Sequence, residues 1–186
     1  MSKRQPNTKV LVFDFDGVLV DSIQVKEEAF AALYRPYGKS VVGNVRAHHL
    51  ANGGMPRLQK FKYYHENFVG EKLHHNSAVE LSKKFSDLVV SEVISANSVC
   101  GADEFLMSLR QRGVPCVINS ATPQDELELI LEKREMLEFF AHIFGSPASK
   151  TENLQRVLEL YSIDPAEAMF FGDALADWQA AKNLNV

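Results

Sequence analysis

Asp14 and Asp16 flank Phe15 directly after Val10-Leu11-Val12-Phe13, an apolar run with no charge on either face. Two carboxylates at the end of a buried segment are costly unless they are paired, hydrogen-bonded or metal-bound. Further polar groups follow later apolar runs: Ser120 after Val114 to Ile118, and Asp173 with Asp177 after Met169-Phe170-Phe171. Lys150 opens a helical pattern between those two runs. Carboxylates gathered at one edge repel one another and call for a cation, and all-oxygen ligation suits a hard ion, most naturally Mg²⁺. Such a site commonly holds substrate phosphate too, with a lysine and a hydroxyl to meet the phosphate oxygens. The second carboxylate can then act as general acid and base. This set is suited to phosphoryl transfer. It contains no Ser-His-Asp arrangement, and the glycine-rich lysine signature of nucleotide-binding loops is absent.

The elements that must carry these residues can be read from periodicity. The run at Val10 to Phe13 suits a strand buried on both faces of a parallel sheet. From Asp21 to Asn97 the pattern is helical: Val25, Ala29, Ala32 and Leu33 recur at helix spacing, as do Leu81, Phe85, Leu88 and Val89. Gly53-Gly54-Met55-Pro56 interrupts it with a tight turn. Beyond Cys100 strands and helices alternate. One helix stops at Gly113, a strand runs from Val114 to Ile118, and Thr122-Pro123 reads as a capping hydroxyl with proline at the first helical position. Ile143-Phe144 is a short third strand, Ser149 and Glu152 form a capping box around Lys150, and Met169 to Phe171 is a fourth strand. This order implies an α/β fold with a mostly parallel sheet, whose ligands sit at the carboxyl ends of the strands. Asp14, Asp16, Ser120, Lys150, Asp173 and Asp177 all fall at that rim.

Composition narrows the classes. The 186 residues are 46% hydrophobic and 24% charged, near globular averages, and the formal net charge of -4 gives no basic excess for nucleic acid. No apolar stretch approaches the roughly 18 residues that span a bilayer, and the N-terminus has no secretory pattern. Two cysteines, Cys100 and Cys116, make neither a disulfide framework nor a zinc site and suit reduced thiols. The expectation is a cytoplasmic protein without nucleic-acid or membrane partners, its oligomeric state unspecified. Neighbouring histidines at 48–49 and 74–75 do not share a helix face, so both pairs are assigned to the surface or to helix packing rather than to metal binding.

Asp14-Phe15-Asp16-Gly17-Val18-Leu19-Val20-Asp21-Ser22 resembles the first motif of the haloacid dehalogenase superfamily. Ser120, Lys150 and Gly172-Asp173-Ala174-Leu175-Ala176-Asp177 resemble its second, third and fourth motifs, in the same order. The resemblance implies a Rossmann-like core over residues 1–21 and 97–186 and an inserted α-helical cap over 22–96. The long interval between Asp16 and Ser120 leaves room for such a cap, as in the phosphoglycolate phosphatase-like and beta-phosphoglucomutase-like subgroup. The chain ends just past the fourth motif, where relatives usually continue into another strand, so it reads either as a piece of a longer protein or as a short member with an open sheet edge.

By the same resemblance, Asp14 is the nucleophile that forms an aspartyl-phosphate, and Asp16 protonates the leaving oxygen and later deprotonates water. Ser120 bonds the transferring phosphoryl group, with Ala121 beside it, and Lys150 neutralises charge around Asp14. Asp14, Asp173 and the backbone carbonyl of Asp16 hold Mg²⁺, while Asp177 acts through a metal-bound water or orients Lys150. Asp16 itself points to phosphate-ester hydrolysis or phosphomutase chemistry, because dehalogenases and phosphonatases of the family lack an acid there. Gly53-Gly54-Met55-Pro56-Arg57 resembles a cap specificity loop, which implies that Arg57, with Lys60 one helical turn along, meets an anionic or sugar-like group. The expected activity is Mg²⁺-dependent hydrolysis of a small phosphorylated metabolite, a sugar phosphate or a phosphorylated acid. The alternatives are a phosphomutase and a non-catalytic binding protein on the same fold.

Overall fold

A computed structural model describes residues 8–186. Four strands form one parallel sheet: β1 (Val10–Phe13), β2 (Cys116–Pro123), β3 (His142–Ser146) and β4 (Ala168–Phe171), in the order β3-β2-β1-β4. β1 pairs on both sides, Phe13 lying opposite Ile118 of β2 and Phe171 of β4. Its uninterrupted apolar sequence follows from this place. Val10 and Val12 pack with Val117 into one buried cluster, while Leu11 and Phe13 face another on the opposite side of the sheet. Both faces of the strand are therefore dry, so side-chain alternation shows no polar partner.

Eight α-helices occur among the described residues: α1 (Ile23–Tyr34), α2 (Lys39–Ala51), α3 (Arg57–Tyr64), α4 (His75–Ser95), α5 (Ala102–Gln111), α6 (Gln124–Lys133), α7 (Lys150–Tyr161) and α8 (Leu175–Leu184). α7 and α8 pack together, and residues of both join the smaller cluster around Val10 and Val12. The helical stretch expected between Asp21 and Asn97 is α1 to α4, with a short π-helical turn at His65–Val69. Its interior is aromatic: Phe30 lies within 4.4 Å of Phe85 and 5.5 Å of Phe61, centroid to centroid, and Tyr64 stands edge-on to it at 5.7 Å. These side chains are continuous with Leu11, Phe13 and Ile118 under the sheet, so helical insert and sheet share one buried cluster.

Several expected boundaries match the elements. Gly113 adopts φ +66° just past α5, and Ser149 and Glu152 close the capping box of α7. β2 differs: it begins at Cys116 and continues through Ser120 to Pro123, with its register to β3 shifting between Asn119 and Pro123. Among the described residues no helix is long and apolar enough to cross a membrane. Cys100 is exposed and Cys116 buried, and both are free.

Arg134, at the end of α6, ties the sheet layer to the insert. Its Nη1 donates to the carbonyls of Val93, Ile94 and Ala96 at 3.0, 2.8 and 2.7 Å, and its Nη2 to Ser98 Oγ at 3.3 Å. The last carbonyls of a helix have no partner within it, and this guanidinium supplies one for α4. Arg134→Met is expected to lower unfolding free energy by about 1.5–3 kcal/mol, the range for hydrogen bonds to a charged group. Urea denaturation followed by circular dichroism measures it.

Candidate functional site

Asp14 stands at the carboxyl end of β1, where its backbone N–H still donates to the Phe171 carbonyl at 2.9 Å. The chain then turns tightly: the N–H groups of Leu19 and Val20 both return to the Phe15 carbonyl, and that of Gly17 to Val20. Gly17 takes φ +79°, and a Cβ there would collide with the Asp173 carboxylate. Glycine is required both by the backbone and by the close approach of the loop after β4. Asp14 is buried; its Oδ1 accepts from the Phe15 N–H at 2.7 Å and its Oδ2 from Lys150 Nζ at 2.5 Å.

Lys150 is the first residue of α7 and is 6% exposed. Its ammonium joins Asp14 to a second buried carboxylate, Asp177. The capping box fixes the start of α7, and Asn119 Nδ2 holds the Lys150 carbonyl at 2.8 Å. Asp177, in the first turn of α8, accepts the Ala174 N–H at 3.0 Å. Oxygens of Asp14, Asp173 and Asp177 lie within 4.8 Å of one another. Burial drives the Asp14 carboxyl up to about 7 against the pull of Lys150, and Asp177 and Asp16 add to the rise. Asp173 is also raised, by burial and then by Asp177. Burial opposes the charge on Lys150, but Asp14 and Asp177 outweigh it and hold the ammonium charged. The donor set is all oxygen and carries more negative charge than one lysine cancels, so these residues fit a hard divalent cation.

The carboxylate of Asp16 turns away from this cluster. Its Oδ1 accepts from Ser22 Oγ at 2.6 Å, and its Oδ2 from Lys26 Nζ at 2.5 Å and Thr122 Oγ1 at 3.0 Å. Burial pushes Asp16 up, but the Lys26 ammonium and these hydrogen bonds outweigh it and hold it below the usual carboxylate range. Lys26 also donates to Thr122 Oγ1 at 2.8 Å. Ser120 is buried, its Oγ accepting the Thr122 N–H at 3.2 Å, while Ala121 and Thr122 form the wall of the adjoining pocket.

That pocket encloses about 190 Å³ between the strand ends and helices α1 to α4. The loop after α2 comes down over it: Gly54 has φ +76°, and a Cβ there would lie 2.8 Å from Ala176 Cβ and 3.6 Å from Lys150 Nζ. Arg57 and Lys60 of α3 both line the pocket and are buried. The two terminal nitrogens of Arg57 meet the two carboxylate oxygens of Glu126, and Ser86 Oγ lies 2.8 Å from Nη1. Lys60 Nζ instead reaches His49 Nδ1 at 2.9 Å.

Six participants lie outside the sequence assignment. Thr122, expected as a helix cap, makes no cap because Pro123 holds that position without a side-chain bond; the longer β2 turns its hydroxyl to Asp16 instead. Ser22 and Lys26 are four apart at the start of α1, so helix spacing could have placed both on the face toward Asp16. His49, assigned to the surface or to packing, is in the pocket wall. Glu126 and Ser86 have no sequence signal, since each acts only through a contact between distant helices.

A family model described as haloacid dehalogenase-like hydrolase matches residues 8–185. The chain is 27% identical over 96% of its length to the validoxylamine A 7'-phosphate phosphatase of Streptomyces hygroscopicus subsp. limoneus, covering 83% of that protein. It is 24% identical over 96% of its length to the phosphoglycolate phosphatase of Psychrobacter arcticus, covering 80% of it. The crystal structure of beta-phosphoglucomutase from Clostridium difficile shares the fold, with a TM-score of 0.78 at 17% identity over 96% of this chain and 82% of that one.

Lys60 yields a pH-dependent prediction. Burial and then Lys26 push its pKa from 10.5 down to about 7. Between those values the unfolded chain binds more protons than the folded one, so the group makes stability rise with pH from about 7 to 10.5 and costs most below 7. Lys60→Met is expected to raise stability at pH 7 by about 1–3 kcal/mol and to flatten that rise. Melting temperatures measured across this range check both effects.

Proposed function

The chain belongs to the haloacid dehalogenase-like hydrolase family, and from that premise we propose that it is a Mg²⁺-dependent phosphatase of a small phosphorylated metabolite, a sugar phosphate or a phosphorylated acid, working in the cytoplasm. Phosphatase activity is the one named for its relatives. The observation that carries the reading is the meeting of Asp14, Lys150 and Asp177, from three separate segments, beside Asp16 and Asp173. Asp14 and Asp173 carboxylates with the Asp16 backbone carbonyl would hold Mg²⁺, and Asp177 would orient Lys150 or bind a metal water. When bound, the ion supplies positive charge that draws the phosphate into place and offsets the crowded carboxylates.

Asp14 Oδ attacks phosphorus, the bond from phosphorus to the leaving oxygen breaks, and Asp16 delivers a proton to that oxygen. Water then gives its proton to Asp16 and attacks phosphorus, releasing phosphate and restoring Asp14. Lys150 stabilises the charge on the phosphoryl oxygens, and the Ser120 hydroxyl with the Ala121 backbone binds them. The contact with Lys26 keeps Asp16 ionised, which suits the second half of the cycle. The first half needs Asp16 protonated, so Lys26 must move off it as substrate enters. Residues 22–96 act as a cap over the core formed by 1–21 and 97–186, of which residues 1–7 lie outside the described residues. The cap excludes water, and Arg57 and Lys60 lie in its pocket wall.

Phosphate release from a panel of phosphorylated metabolites, with and without Mg²⁺, tests the reading. Wild type is expected to release phosphate only with the metal. Asp14→Asn is expected to lose at least about a thousandfold in kcat, as removal of a nucleophile does. Release that survives Asp14→Asn overturns the mechanism. A phosphate that stays in an isomerised product shows a phosphomutase instead, and ligand binding without turnover shows a silent binding protein.

A further inference from the structure

Each cation around the pocket except one has an acid beside it. Lys150 lies between Asp14 and Asp177, Lys26 against Asp16, and Arg57 against Glu126. Lys60 is 3% exposed, and among the described residues no carboxylate oxygen lies within 4.0 Å of its ammonium. Its neighbours are His49 Nδ1 at 2.9 Å and the Phe30 ring, whose centroid is 5.5 Å away. His49 supplies no negative charge, and burial with Lys60 and Lys26 nearby drives its pKa down to about 3, so it stays neutral. A buried ammonium that lacks a counter-ion is costly. Both Lys60 and His49 face the pocket, where a bound anion can reach the ammonium.

Arg57 lies one helical turn before Lys60 on α3. It is already satisfied: Glu126 takes both terminal nitrogens, and the guanidinium lies 4.6 Å from the centre of the Phe85 ring. Glu126 is held in turn by Ser86 Oγ at 2.5 Å. The charge of Arg57 is cancelled before any ligand arrives, and its geometry is that of a strut joining α3 and α4 to α6.

We propose that Lys60, held in place by His49, is the specificity-determining residue of this pocket and receives a carboxylate on the leaving group of the phosphoester, while Glu126 keeps Arg57 out of that role. This rests on the phosphatase reading. A single ammonium balances the one charge of a carboxylate. A second phosphoryl group would carry about −1.5 to −2 toward Asp16, which is close enough to Lys60 to act on its charge. Asp16 faces the leaving oxygen in the proposed reaction, so the carboxylate sits near the ester bond, as in a short phosphorylated hydroxy acid.

The test compares two phosphoesters of similar size, 2-phosphoglycolate and 2-hydroxyethyl phosphate, which differ in the charge of the leaving group. Calorimetry on the full chain carrying Asp14→Asn, with Mg²⁺, gives both dissociation constants without turnover. The carboxylate ester is expected to bind at least about tenfold more tightly, the effect of one charge-assisted hydrogen bond. Adding Lys60→Met, or Lys60→Gln, which keeps a donor for His49, is expected to bring the ratio to about one. Adding Arg57→Met with Glu126→Met is expected to leave the ratio in place. A ratio near one before Lys60 is changed, a ratio that survives both Lys60 variants, or a ratio that collapses with the Arg57 and Glu126 pair overturns the assignment. Hydrolysis of both esters by the unaltered chain is measured separately. Turnover with a flat ratio sinks the Lys60 assignment alone, whereas a Lys60-dependent ratio without turnover keeps the receptor and sinks the phosphatase reading.

Discussion

Lys150 holds two buried carboxylates, Asp14 and Asp177, that would otherwise repel each other at the rim of the sheet. Removing one member of such a group leaves an uncompensated charge out of water, which is far more costly than the intact group. The ends of β1, α7 and α8 are therefore bound to one another by electrostatics, and the details around them serve that constraint. The capping box at Ser149 and Glu152 and the bond from Asn119 to the Lys150 carbonyl set the direction of the lysine. The bond from the Ala174 N–H sets Asp177, and Gly17 lets the Asp173 carboxylate approach the first loop.

The same logic divides the pocket into two electrostatic halves. On one side Asp14, Asp173 and Asp177 outnumber Lys150, a surplus of negative charge that suits a cation and the phosphate it brings. On the other side Asp16 is matched by Lys26, Arg57 is matched by Glu126, and among the described residues Lys60 remains without an acid. A phosphoester with a charged leaving group complements both halves at once. The helices that carry this second half are tied to α6 at both of its ends, by Glu126 near the pocket and by Arg134 at the C-terminus of α4. Movement of the helical layer over the core thus has to break or pivot about these two contacts.

The fold was largely legible in the sequence because each core element announces itself locally. An apolar run of strand length at Val10 to Phe13, helix-spaced apolar positions in α1 and α4, and the signal at Ser149 and Glu152 are properties of short windows. The strand ends follow from them, and so does the gathering of Asp14, Asp16, Lys150, Asp173 and Asp177 at one edge, because parallel sheets place their loops there. The length of β2 was not legible, because Thr122-Pro123 reads locally as a helix start while pairing with β3 carries the strand on to Pro123.

Residue type and order along the chain suffice for the parallel α/β core, the helical insert and the set of carboxylates with their lysine. Tertiary structure alone decided which cation faces which acid. Glu126 lies 69 positions from Arg57, and Thr122 lies 106 from Asp16, so no local window connects them. Arg57 and Lys60 look alike in the chain, two basic residues one helical turn apart. They part only when α6 places a carboxylate beside one and α2 places a neutral imidazole beside the other. A charge pair in a low-dielectric interior depends on separation in space, and separation in space is what a one-dimensional pattern does not contain.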